Sequence, residues 1–124
     1  MYRERMETLK KWKVSKNRKP LIIRGARQVG KTWLMKEFGK LYYEKCAYIN
    51  FDNNSRMDIL FNEEFDLDRI IQGLKIESGI NSEPENTLII FDEIQETPKA
   101  LKTLKYFYEN ANEYHMGAEG ERGG

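Results

Sequence analysis

Gly25, Gly30, Lys31 and Thr32 stand in the spacing G-x-x-x-x-G-K-[ST], inside the run LIIRGARQVGKTWL from Leu21 to Leu34. Each residue type meets a need of anion chemistry. Glycines permit the dihedrals that turn several backbone N–H groups toward one anion, and they let the chain approach it closely. A helix opening near Lys31 aims the positive end of its dipole at the same point. The Lys31 ammonium can then reach the outer phosphates of a nucleotide, and the Thr32 hydroxyl can ligate Mg²⁺. The candidate binding segment is Gly25, Ala26, Arg27, Gln28, Val29, Gly30, Lys31, Thr32 and Trp33.

A second group lies some sixty residues on. LIIFDE, from Leu88 to Glu93, is an apolar run closed by two adjacent acids. In a parallel α/β sheet, ligands collect at the carboxyl ends of strands. Asp92 there can hold Mg²⁺ through water, and Glu93 can orient and deprotonate an attacking water. An acid directly after the metal-binding Asp points to ATP hydrolysis. No N-K-x-D base-reading motif occurs, which argues against GTP.

Elements must hold these groups. Tyr2, Met6, Leu9 and Trp12 share one face of a helix, after which Pro20 disfavours helix in the residue before it. Leu21–Ile23 suits a strand covered on both sides. Lys31 to Tyr43 places Leu34, Phe38, Leu41 and Tyr42 on one helical face, and Cys46–Phe51 reads as a second strand ended by DNNS. Asp66 can cap a helix carrying Leu67, Ile70, Ile71 and Leu74, with Gly79 where it stops. TLIIFDE is a third strand. Thr97-Pro98 can cap and open a last helix lined by Leu101, Leu104, Tyr108 and Ala111. Strands alternating with helices predict a parallel α/β sheet.

The chain has 124 residues, 40% apolar and 33% charged, and its apolar runs are far too short to cross a bilayer. No secretion signal opens it, and a lone Cys46 has no partner for an internal disulfide, so a cytoplasmic location is expected. The net charge of +1 conceals an asymmetry: residues 1–45 carry +10 and residues 46–124 carry −9. Lys10, Lys11, Lys13, Lys16, Arg18 and Lys19 can therefore serve a weak nucleic-acid binder, although a solvated face beside an anion site is the plainer explanation.

GARQVGKT followed by LIIFDEIQ resembles the AAA+ ATPases, the additional-strand, catalytic-glutamate branch of P-loop proteins. More narrowly, RGARQVGKT, YINFD and FDEIQETPKALKTLKYFYE resemble a prokaryotic family in which an ATPase core precedes a C-terminal domain of unknown function. The likeness covers about residues 1 to 115. It implies a three-layer P-loop fold, ATP as nucleotide, Mg²⁺ as cofactor, a possible homo-oligomer in the full-length family, and the roles above for Lys31, Thr32, Asp92 and Glu93. Lys31 and Glu93 are the catalytic pair; Thr32 and Asp92 hold the metal.

In that branch a fourth, apolar strand ending in a polar sensor residue lies between the phosphate-loop strand and the Asp-Glu strand. Here the chain reads MGAEGERGG after His115, with Gly117, Gly120, Gly123 and Gly124. The expectation is a partial ATPase domain at 1–115, truncated or frame-shifted after its third strand–helix unit, and a disordered Gly-rich tail at 116–124. The first and third strands must then pair directly. An inactive nucleotide- or partner-binding module stays open as an alternative.

Other residues invite weaker readings. Cys46 and the aromatic trio Tyr106, Phe107 and Tyr108 read as core. Trp33 and Met35 can brush a nucleotide, with packing the more ordinary role. His115 reads as incidental, and Arg24, Arg27 and Gln95 receive no catalytic role.

Overall fold

A computed structural model describes residues 2–25 and 31–121. Its elements run α1 (Tyr2–Val14), β1 (Leu21–Gly25), α2 (Lys31–Tyr42), β2 (Lys45–Asn50), α3 (Ser55–Asn62), α4 (Leu67–Ser78), β3 (Thr87–Asp92), α5 (Pro98–Asn110) and β4 (His115–Glu121). A short 3-10 turn, Ile94–Glu96, joins β3 to α5. The strands form one all-parallel sheet in the order β1-β4-β3-β2. The α/β class and the layered P-loop-like arrangement predicted from the sequence are both present.

Alternation along β3 explains the three layers. Leu88 and Ile90 pack on one face against Leu34, Met35 and Phe38 of α2 and Met6 and Leu9 of α1. Ile89 and Phe91 pack on the other, among Phe61 of α3, Leu74 of α4 and Leu104 and Phe107 of α5. A strand covered on both faces needs an unbroken apolar run, and LIIF supplies it. Each such side chain contributes about 1.5–3 kcal/mol relative to exposure.

Helix ends follow local chemistry. The Asp66 carboxylate accepts the Arg69 N–H at the start of α4, and Gly79 closes that helix with φ of 76°, its N–H donating to the Lys75 carbonyl. The short α3 was not foreseen. Asn54, inside the turn-like DNNS, caps it by accepting from the Met57 N–H, and Met57 and Phe61 fall one turn apart on its buried side. Thr97 precedes α5 with Pro98 in the first turn as expected, but its hydroxyl makes no cap; it donates instead to Asp58 at 2.8 Å.

Two inner faces are rotated from the expected positions. Leu41 is exposed and Met35 fills the core beneath α2, while Phe107 and Ala100 share the buried face of α5 with Leu104 and Ala111. Trp33 does not pack in the core but stands 56% exposed beside the start of α2. Of the aromatic trio, only Phe107 is buried; Tyr106 lies on the surface, stacked on Phe65 at 3.5 Å between centroids.

The main correction concerns residues 116–124. They do not begin a disordered tail: His115–Glu121 is β4, inserted between β1 and β3 and paired to both. The sheet is not truncated after its third strand, and β1 does not pair with β3. Every residue from His115 to Gly120 is buried. The physical reason is pairing: β4 satisfies the backbone groups of β1 on one side and of β3 on the other. A Cβ on Gly117 would come within 2.6 Å of the Met35 Cε, and one on Gly120 within 2.2 Å of the Gln95 side-chain oxygen. Glycine is a poor strand former in isolation; here the flexible ends of Met35 and Gln95 lie against it and would have to shift for a larger residue. Residues 122–124 lie outside the described residues.

Candidate functional site

Parallel pairing brings the carboxyl ends of all four strands to one edge of the sheet. Register sharpens this: Ile23 of β1 faces Glu119 of β4, Glu119 faces Asp92 of β3, and Asp92 faces Asn50 of β2. One strand therefore separates β1 from β3, so their backbones stand roughly 10 Å apart at this level. The chain leaves β1 through α2 and leaves β3 through α5, and these helices cover opposite faces. Such divergent connections open a crevice beyond the strand ends.

β1 ends at Gly25 and α2 begins at Lys31, so the expected strand and helix flank the G-x-x-x-x-G-K-[ST] motif. Ala26, Arg27, Gln28, Val29 and Gly30 lie outside the described residues, as do the side chains of Lys31 and Thr32. What the fold fixes is the position of the α2 N-terminus, at the same sheet edge as the β3 acids.

Asp92 is half-buried at the end of β3. Its Oδ1 accepts the Glu93 N–H at 2.8 Å, and its Oδ2 accepts the Tyr48 hydroxyl of β2. Burial, followed by this bond to Asp92, pushes the Tyr48 hydroxyl well above the usual tyrosine pKa; Asp92, Glu119 and Glu93 all add negative potential. Lys36 of α2 lies 4.0 Å above the Tyr48 ring. Tyr48 was missed in the sequence. Its signal was its place in YIN, two residues before Asn50, from which its hydroxyl reaches forward along the pair to Asp92.

Glu93 adopts a left-handed conformation, φ 56° and ψ 42°, at the start of the 3-10 turn. A non-glycine residue there is strained, and such strain collects where a side chain must be aimed. The sharp turn swings Glu93 off the strand line that Asp92 continues.

Glu119, 1% exposed, is a further carboxylate that sequence reading assigned to a tail. Two of the basic side chains are tied into the fold, although their charge remains. Arg18 donates to the Lys13, Ser15 and Asn112 carbonyls, and Lys13 donates to the Tyr42 carbonyl. His115 is not incidental: buried between Trp12 and Tyr43, it shares a hydrogen bond with the Tyr43 hydroxyl.

A family model described as an AAA domain matches residues 17–120. The chain belongs to the AAA domain family. The match begins before β1 and includes β4 almost to its end, so the family region takes in the strand that sequence reading excluded. No curated protein matches the chain. AAA domain membership supports nucleotide binding. No helix among the described residues is long and apolar enough to cross a membrane.

Proposed function

We propose that the chain binds ATP together with Mg²⁺ at the carboxyl edge of the sheet and hydrolyses its terminal phosphate bond. The observation that carries this reading is convergence: the β1–α2 junction bearing the motif and the acidic end of β3 share one sheet edge, one strand apart. That gap suits a triphosphate.

The residues present fit a magnesium ion bound through water. Asp92 is a hard carboxylate donor at the carboxyl end of β3, oriented by the Glu93 N–H and the Tyr48 hydroxyl, and carboxylate oxygen is the donor type that magnesium takes alongside water. Mg²⁺, when bound, supplies charge that offsets the negative charge developing on the phosphates. Thr32 and Asp92 are its proposed holders. Lys31 would steady the outer phosphates, the α2 N-terminus would donate backbone N–H groups, and Glu93 would direct water and take its proton.

Mg²⁺-ATP titration followed by thermal unfolding tests the binding half, with wild type compared against Lys31→Ala. Stabilisation confined to wild type is expected. Phosphate release that disappears in Glu93→Gln, with binding retained, tests the hydrolytic half. A wild type that shows no nucleotide-dependent shift overturns the reading.

A further inference from the structure

A cleft of about 530 Å³ opens at the amino edge of the sheet, at the opposite end of β4 from the Asp92 level. Three segments meet there: the end of α1 with the loop to β1, the turn before β3, and the α5–β4 loop with His115. The walls carry three cations, Lys13, Lys16 and Arg18. None of these three makes an ion pair among the described residues.

Arg18 is fixed in place by the backbone. Its terminal nitrogens donate to the Lys13, Ser15 and Asn112 carbonyls, while its Nε is buried with no hydrogen-bond partner. Lys13 is anchored by one bond to the Tyr42 carbonyl, and an ammonium has three donors. Lys16 is exposed. Carbonyls orient these cations without neutralising them, so positive charge stays gathered on the wall. Arg18 and Lys13 both act on His115, which is buried in the same wall. Glu85 and Glu113 also line the cleft; both are exposed, and Glu85 offsets part of the Arg18 charge.

We propose that this cleft binds the phosphate group of a small phosphate monoester, at a site separate from the nucleotide edge. A buried donor with no partner, beside cations with no counter-ion, is what a bound anion satisfies. Tetrahedral phosphate suits these donors better than carboxylate does. The Arg18 fork, which grips a planar carboxylate through two parallel bonds, is already occupied by carbonyls. What remains are single donors on different side chains, and phosphate presents an oxygen to each. Glu85 and Glu113 can accept from hydroxyl or amino groups on the rest of the ligand.

His115 is the one histidine of the chain, so its imidazole gives a single proton NMR signal that reports on this wall. The test titrates inorganic phosphate into the full chain at pH 7 and constant ionic strength. A saturable displacement of that signal is expected. It should survive Lys31→Ala, and Lys16→Glu should weaken the phosphate affinity by about tenfold. Lys16→Gln, expected to act in the same direction by a smaller factor, serves if the charge reversal disturbs folding. No displacement in wild type overturns the proposal, as does an affinity that both Lys16 variants leave unchanged. A response lost in Lys31→Ala assigns the phosphate to the nucleotide edge and overturns it too. An equal response to acetate overturns the preference for phosphate. None of these failures touches the nucleotide reading, which Mg²⁺-ATP titration decides.

Discussion

The Tyr48 hydroxyl donates to Oδ2 of Asp92 across the β2–β3 pair, while Oδ1 of the same carboxylate takes the Glu93 N–H. Asp92 is thus fixed in orientation before any ligand arrives. Tyr48→Phe removes one charge-assisted hydrogen bond and is expected to lower stability by about 1.5–3 kcal/mol at neutral pH, read from urea unfolding. The pH dependence has a definite sign. The folded-state pKa of Tyr48 lies above its unfolded value of 10.0, so its contribution is fully present below pH 10 and is lost as pH rises beyond it. The decline of stability above pH 10 should be shallower in Tyr48→Phe.

His115 makes the opposite prediction at acid pH. Burial, with Arg18 and Lys13 nearby, lowers its pKa from 6.5 to about 4. The unfolded chain binds the proton first, so stability is present above pH 6.5 and is lost as pH falls toward 4. The expected loss is on the order of 2 kcal/mol between pH 7 and pH 5. His115→Phe should flatten the stability profile across that interval even if it lowers the plateau. A profile of unchanged slope would show that His115 is not the titrating group.

Gly117→Ala tests the tight fit of β4. The new Cβ would meet Met35, itself completely buried, at 2.6 Å from Cε and 3.2 Å from Sδ. A cost of about 1–3 kcal/mol is expected from chemical denaturation. The cost should shrink when Met35→Ala is already present, because the colliding atoms are gone; equal costs in both backgrounds would place the strain elsewhere.

Arg18→Lys keeps the charge and loses the fork. Arg18 makes three donations to backbone carbonyls, and the Asn112 side chain donates back to the Arg18 carbonyl, tying the α1–β1 loop to the α5–β4 loop. A lysine ammonium cannot span those three carbonyls in the same geometry. Stability should fall by about 1–3 kcal/mol, seen as a lower denaturation midpoint. If instead only nucleic-acid affinity changes, Arg18 belongs to a binding surface and not to the frame.

The sequence disclosed most of this frame where local chemistry and burial agreed. β3 is legible because both its faces are buried, and α4 because Asp66, Gly79 and a regular apolar stripe all point the same way. α3 was hidden by a capping residue that resembles a turn, although Met57 and Phe61 carried the helical spacing. β4 was hidden for a different reason. HMGAEGE has two glycines, two acids and no β-branched residue, and its strand state is imposed by the strands on both sides, whose backbone groups it satisfies. The sequence presents the candidate site as two groups, a glycine-rich motif and an acidic strand end, and only the sheet order brings the β1–α2 junction and the end of β3 to one edge. Glu119 escaped because it matters only through register with Asp92, and Tyr48 because only its side-chain bond across the β2–β3 pair links it to Asp92.

The position of β4 bears on how a newly made chain reaches its native form. β1 emerges early, yet among the described residues its sheet partner is the strand that comes last in order. Until then the β2–β3 pair can assemble with its helices, whereas β1 carries unsatisfied backbone groups and an uncovered edge. Assembly must close from both sides at once when residues 115–121 slot into the gap. Chaperone contact and vulnerability to proteases should peak during that wait, and should fall once the gap is filled.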